Sequence, residues 1–311
     1  MEGIMTRVFS SMLVLVLSGC VSYRKVSYLD RNYPSLEPRI YAPEILSLSD
    51  RNEHGLTIRD HGEEHIFGLD GQNDWTYDGL ACLKRGEDGS LSLECLHFAD
   101  NIERRNHGII AGEPCLSPDG KSLFFVADHP TDIWKVSIGE NGSWGRPVKL
   151  DAIVNSDGSE WFPHVAQDGC LYFARDTDGH VSIHKAESVD GQYKTVSKFE
   201  AAFNFDCGDQ VFSQDMDYVI FTSPRAGGYG NIDLYIAFKD ENGEWTDAIN
   251  MGPAMNTEGF EMAPYISPDQ KFLFFTRRQE MNGQASSDIY WVSLDIVSEL
   301  RNKVRSATGG L

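Results

Sequence analysis

Residues 112–125 read GEPCLSPDGKSLFF, and residues 259–275 read GFEMAPYISPDQKFLFF. Ser117-Pro118-Asp119 and Ser267-Pro268-Asp269 occupy the same place in the two stretches, and each precedes Leu-Phe-Phe. Ser suits the first position of a type I turn, Pro presets φ at the second, and Gly120 accepts the left-handed geometry at the end. The apolar triplet after the turn shows no polar alternation, as expected for a strand covered on both faces. Such a near-copy marks a repeat, and the repeat decides the fold.

Two weaker copies lie between them. Pro163, Asp168-Gly169 and Leu171-Tyr172-Phe173 make one; Ser213, Asp215 and Val219-Ile220-Phe221 make the other. A degenerate first copy runs from Glu53 to Ile58, with Gly62 in the turn and Ile66-Phe67 in the strand. Anchored on the turns, the copies stand at residues 61, 119, 168, 215 and 269. A second element keeps step: Asp132–Val136, Val181–Lys185, Ile232–Ile236 and Asp288–Val292 read as third strands. Asn141-Gly142, Asp190-Gly191, Asn242-Gly243 and Asp88-Gly89 are strong hairpin signals, because both central residues need positive φ. Each unit is therefore four strands in roughly 50 residues, the size of one propeller blade. The last unit lacks a fourth strand, since Asp295–Arg305 reads as a short helix capped by Asp295. Arg39–Ser47 is the candidate strand that closes the ring from the other end of the chain.

The Ser-Pro-Asp-Gly turn, the Phe-Phe strand and Asp288-Ile289-Tyr290-Trp291 resemble the TolB-type, WD-like repeat of bacterial envelope proteins. The resemblance spans about residues 38–300; it is strong in copies two and five and weak in copy one. Copy four departs from it, with Gln214 and Met216 where Pro and Gly stand elsewhere. It implies an all-β propeller of five four-stranded blades, or six if the long first spacing conceals another copy. The expected organisation is a signal at 1–19, an anchor and linker at 20–37, the propeller at 38–300 and a tail at 301–311.

The N-terminus carries Arg7, an apolar run from Met12 to Leu17, then Leu17-Ser18-Gly19-Cys20. The run is too short to cross a bilayer, and the four residues resemble the bacterial lipobox, in which the cysteine becomes the acylated first residue. An ordinary secretory signal cut nearby is the alternative. Val21, not Asp, follows Cys20, so the resemblance implies an outer-membrane lipoprotein facing the periplasm or the cell surface. The chain holds 47 acidic against 27 basic residues, a net charge of −20, which repels phosphate backbones and argues against nucleic acid. In an oxidising compartment, a hairpin turning at Asp88-Gly89 would set Cys82 opposite Cys95 as a disulfide; two separate buried thiols are the other reading. Cys115, Cys170 and Cys207 suggest no pairing.

One polar pattern recurs. Asn155-Ser156-Asp157-Gly158-Ser159-Glu160 precedes copy three and Asn256-Thr257-Glu258-Gly259-Phe260-Glu261 precedes copy five. Glu53 stands at the same offset from its turn, and Glu113 and Asp209 are acidic two residues later in their copies. Five units would bring these carboxylates, with His54 and His164, towards one mouth of a central funnel. There they could hold a divalent cation, calcium by the hardness of oxygen ligands, or a cationic or sugar ligand. The competing reading is structural: Asn and Ser cap the loop, and Glu bonds backbone amides. His180 and His184, four apart on a strand, are separated by about 13 Å, too far to share a metal. No nucleophile elbow or phosphate-binding loop is present. The expected function is a monomeric, non-catalytic scaffold for an envelope protein or glycan; the rival is a carbohydrate-active enzyme with its carboxylates or a metal in the funnel.

Overall fold

The structure is a computed structural model that describes residues 26–70, 77–96, 112–128, 130–281 and 284–307. Its first strand, β1 (Arg39–Ile40), is completed only at the other end of the chain. Blade 1 comprises β2 (Asn52–Arg59), β3 (Glu64–Asp70), β4 (Tyr77–Arg85) and β5 (Leu91–Cys95). Blade 2 comprises β6 (Gly112–Leu116), β7 (Ser122–Ala127), β8 (Asp132–Ser137) and β9 (Val148–Lys149). Blade 3 comprises β10 (Glu160–Val165), β11 (Leu171–Thr177), β12 (His180–Val189) and β13 (Gln192–Lys198). Blade 4 comprises β14 (Gly208–Phe212), β15 (Tyr218–Ser223), β16 (Asp233–Phe238) and β17 (Ile249–Asn250). Blade 5 comprises β18 (Phe260–Ile266), β19 (Phe272–Met281) and β20 (Gln284–Ser293), with β1 as its outer strand. The five first strands touch in a closed cycle, β2 to β6, β10, β14, β18 and back to β2. This is a five-bladed, all-β propeller.

The turn reading holds in detail. Ser117, Ser213 and Ser267 donate to the acid two residues on and accept the N–H of Ser122, Tyr218 and Phe272 at 3.0–3.1 Å. The fourth turn residue is left-handed in each case: Gly120 at φ 67°, Met216 at 58° and Gln270 at 56°. Copy four thus makes the same turn without Pro or Gly, because the serine and aspartate bonds hold it. Every residue of β7 and β15 is buried, as the unbroken apolar runs require.

Three expectations need correction. The closing segment pairs with β20 only at Arg39↔Trp291 and Ile40↔Tyr290, with one further bond from Tyr41 N–H to the Ile289 carbonyl. Ala42 is left-handed at φ 45° and Pro43 has no N–H to donate, so the ladder stops there. Asp295 does not cap α1 (Asp295–Ala307) from outside; it is the first helical residue, and its N–H reaches Ser293 Oγ at 3.3 Å. The helix packs Ile296, Val297 and Leu300 on blades 4 and 5, and Arg301 pairs with Asp217 at 2.5 Å. The third correction concerns the disulfide. The β4–β5 loop is wider than two residues, closing with Gly86 N–H on the Ser90 carbonyl. Cys82 therefore pairs with Glu94, and Cys95 with Ala81. A one-residue slip puts the thiols on opposite faces; Cys82 is buried, Cys95 is exposed, and both are free.

The segment expected as linker joins the packed body from Val26 onward. Val26 and Tyr28 are buried against Leu56, Ile58, Phe272 and Trp291, where blades 1 and 5 meet. Elsewhere the blade joints are held by asparagines. Asn155 accepts the Ile133 N–H (2.8 Å) and donates to the Ile133 and Leu150 carbonyls. Asn204 does the same for Ile183 and Phe199, and Asn256 for Leu234. Asn52 accepts the Ser287 N–H at 3.1 Å. Each side chain ties a connecting loop to the third strand of the blade before it.

All five inner strands carry a bulge at one position, six residues before the turn anchor. Its residue is left-handed throughout: Gly55 (φ 60°), Glu113 (54°), Phe162 (50°), Asp209 (40°) and Ala263 (51°). Bulges bend and twist a strand, which lets five of them crowd one axis. A Cβ in this backbone region costs about 1–2 kcal/mol. Ala263→Gly is therefore expected to raise unfolding free energy by about 1 kcal/mol in urea titration. Gly55→Ala should lower it comparably, since the nearest atoms to the added methyl, Pro114 Cδ at 3.6 Å and Ala263 Cβ and Glu113 Cα at 3.8 Å, are at ordinary contact distance. Opposite or null shifts in both would refute strain at the bulge. For the thiols, Cys95 should alkylate in the native protein without reductant and Cys82 only after unfolding. Reaction at either residue solely after reduction would restore the disulfide.

Candidate functional site

The expected acidic residues divide into two groups. Glu53, Glu160 and Glu261 are fully buried, and each meets an arginine. Glu160 Oε1 accepts Arg175 Nε (2.8 Å) and Ser156 Oγ (2.5 Å), while Oε2 accepts the Ser156 N–H. Glu261 repeats this with Arg277 and Thr257, and Glu53 pairs with Arg51 at 2.6 Å. Each arginine also donates to a loop carbonyl: Val154, Met255 or Leu46. These are braces within the leading loops, and none of the three glutamates lines the large cavity. The arginines that complete them were not legible as partners, because strand pairing alone brings Arg175 opposite Glu160 and Arg277 opposite Glu261.

Glu113 and Asp209 sit on the bulge itself and reach across to the next blade. Glu113 accepts the Phe162 N–H, and Asp209 accepts the Ala263 N–H at 3.1 Å. Thr276 Oγ1 accepts the Gly55 N–H at 2.9 Å in the same way. His54 lies 3.9 Å from Glu113 Oε1 and 3.6 Å from Asp70 Oδ2, and Arg278 stands 3.9 Å from the same Asp70 oxygen. Burial pushes the Asp209 carboxyl above the ordinary range, against the pull of His54 and the Ala263 N–H. Glu113, Asp209 and His54 are thus brought together, but Glu113 and Asp209 serve backbone donors and His54 lies between the carboxylates of Asp70 and Glu113. Among the described residues no three His, Cys, Asp or Glu side chains are arranged to hold a metal ion.

The open cavity lies at the other end of the inner strands. It measures about 830 Å³ and is walled by the repeat turns, from Arg59–His61, Cys115–Lys121, His164–Gln167 and Val211–Gln214 to Pro268 and Gln270. Next to it lies a small void of about 20 Å³ between Leu56, Pro114, Pro163, Val211 and Pro264. That is room for about one water. His164 is the one expected residue that lines it. Its ring lies 6.0 Å from Phe212, and burial lowers its pKa to about 4, which leaves it neutral at pH 7.

The charge of the funnel is near balance despite the −20 of the chain: Arg59 and Lys121 face Asp60, Asp119 and Glu140. Arg59 pairs with Glu64 at 2.7 Å and Asp60 at 3.3 Å, and lies over Trp144. Asp119 is held below the ordinary carboxylate range by Ser117 Oγ and the Lys121 N–H. Ile58, Leu116, Ile138, Phe212 and Ile266 supply apolar wall between these groups. The sequence did carry a signal for this surface, since the wall is the repeated turn and its flanks.

No protein-family model matches the chain, and no curated protein matches it. Solved structures do. The α-L-arabinofuranosidase from Lactobacillus brevis aligns at 10% identity and TM-score 0.51 over 79% of this chain and 91% of its own. The GH43 endo-arabinanase from Bacillus licheniformis aligns at 12% identity and TM-score 0.51, over 80% and 96%. TolB from Acinetobacter baumannii aligns at 12% identity and TM-score 0.48 over 79% of this chain, which spans 58% of the TolB chain. At these identities the likeness is one of fold.

Glu53 offers a test of the brace. Its Oε2 has no hydrogen-bond partner among the described residues, and burial raises its pKa from 4.5 to about 8, despite Arg51. The folded state holds this proton more tightly than the unfolded chain does. Its stabilising share is complete below 4.5, falls as pH rises towards 8, and is flat above that. The melting temperature of the native protein relative to Glu53→Gln should therefore drop across that window. Parallel curves would refute the buried acid.

Proposed function

We propose that the protein is a non-catalytic binding scaffold of the cell envelope, anchored through an acylated Cys20, which receives its protein or glycan partner in the funnel. Cys20 lies outside the described residues, so the anchor rests on the lipobox resemblance. The observation that carries the binding role is the separation of chemistry from space. The upward-shifted acids Glu53 and Asp209 lie outside the funnel wall, and Glu113 and Asp209 satisfy backbone N–H groups of neighbouring blades. The funnel presents a rigid wall of mixed apolar and charged groups, of a size suited to a ligand or a short segment. Five braced blades hold that wall in place, which favours recognition by preorganisation.

The enzymatic alternative draws only on the fold shared with the arabinan-directed hydrolases, and fold does not carry function. A calcium ion would need carboxylates now committed to Arg175, Arg277 and backbone donors. The reading is tested with purified protein against panels of envelope-derived peptides and glycans. A ligand should raise the melting temperature by mass action, and Gln167→Trp with Gln214→Trp, which fill the funnel rim, should abolish that shift without lowering the melting temperature of the free protein. Turnover of any glycan, lost in Asp209→Asn or Glu113→Gln, would overturn the scaffold reading in favour of the enzyme.

A further inference from the structure

The described chain begins at the funnel. Ser27 N–H donates to the His61 carbonyl at 2.7 Å, and Tyr28 Oη donates to Asp269. His61 lines the funnel, and Asp269 lies between Pro268 and Gln270, which also line it. From there the segment runs outward over the turn face of blade 5. Tyr28 packs on Phe272, Phe274 and Trp291, the Ser35 carbonyl accepts the Ser293 N–H, and Arg39 joins β20 as the outermost strand. The chain upstream of Val26 therefore leaves the body beside the axis, at the funnel mouth. It does not leave from the rim of the disc or from its opposite face.

Six covalent steps separate Cys20 from Val26. Fully extended they reach about 21 Å, whatever conformation the segment takes. We infer that the acyl anchor holds the funnel face towards the bilayer, so that the turns around the funnel rest against the lipid surface. The inference rests on the Cys20 anchor of the proposed function and goes beyond it by assigning an orientation. The exposed groups around the exit suit that surface. Arg31 and Tyr33, the latter 52% exposed, border a hollow of about 490 Å³ with Val26, Ser27 and Tyr28. Arginine beside tyrosine is the pairing that sits well at lipid headgroups.

The test uses the full-length, lipidated protein in vesicles of phosphatidylethanolamine and phosphatidylglycerol that carry a nitroxide-headgroup quencher. In a Cys95→Ser, Cys115→Ser background, single fluorophores are placed at Gln167→Cys or Gln214→Cys on the funnel face. The controls are Thr177→Cys, at the end of β11, or Ala226→Cys, in the β15–β16 connection, both at the far end of the blades. All four positions are exposed. Funnel-face labels should be quenched severalfold more than far-end labels. A Gly/Ser insertion of about 30 residues after residue 25, with a span of about 30 Å, should erase the difference. Equal quenching at the two faces of acylated protein would overturn the orientation and leave the anchor standing. Protein that carries no acyl group at Cys20 by mass spectrometry would overturn both.

Discussion

A ring of sheets is only as stable as its seam, and here the seam is almost bare of backbone hydrogen bonds. Two residues of β1 pair with β20, and Tyr41 adds one further bond to the Ile289 carbonyl. Closing a loop of this length costs little more than closing a shorter one, since the penalty grows only logarithmically. The difficulty is local: Pro43 and left-handed Ala42 end the ladder at once. Side chains do the sealing instead. Tyr41 is fully buried, lies against Phe274 and Trp291 with centroids 4.9 Å away, and bonds His65 Nε2 at 2.7 Å. Burial lowers the His65 pKa to about 3, so this contact between the closing segment and blade 1 stays neutral. Val26 and Tyr28 extend the same cluster, which is why the N-terminal segment is architecture and not merely a tether.

Closure imposes the second constraint, at the axis. Five first strands converge there, and each relieves the crowding with one left-handed bulge residue. A bulge frees a backbone N–H, and a buried N–H without an acceptor costs about 1–3 kcal/mol. Glu113, Asp209 and Thr276 supply three of those acceptors. Acids that look available for chemistry are thereby used to hold neighbouring blades in register. The residue after the bulge is proline in three blades, and these prolines line a void with room for about one water beside the funnel.

Away from the axis, polar burial follows the same economy. Asparagine suits the joints because one amide both accepts an N–H and donates to carbonyls; Asn155, Asn204 and Asn256 each use both functions on the preceding blade. Glu160 and Glu261 pair with arginines that also reach loop carbonyls, so neither charge is left bare. Internal pairing leaves the excess of acids to the surface outside the funnel, whose own charges nearly cancel.

The blade count, the strand order, the turns and the terminal helix were legible because they rest on local chemistry. Ser117-Pro118-Asp119-Gly120 makes its turn within four residues, and a buried strand such as Leu123-Phe124-Phe125 announces itself by composition. Register was less legible. The one-residue difference that separates Cys82 from Cys95 lies in the width of the Gly86–Ser90 loop, and Asp88-Gly89 is compatible with more than one width. The candidate site was legible as a set of residues but not as an arrangement. Glu160 and Glu113 stand close in their repeats, yet one braces a loop and the other reaches the next blade. By itself the sequence determined a propeller of five repeated units, since each repeat encodes its own turns and core. Only the tertiary structure decided which carboxylates face protein donors and which end of the axis stays open. Those outcomes depend on contacts between blades far apart in the chain, and no residue carries them alone.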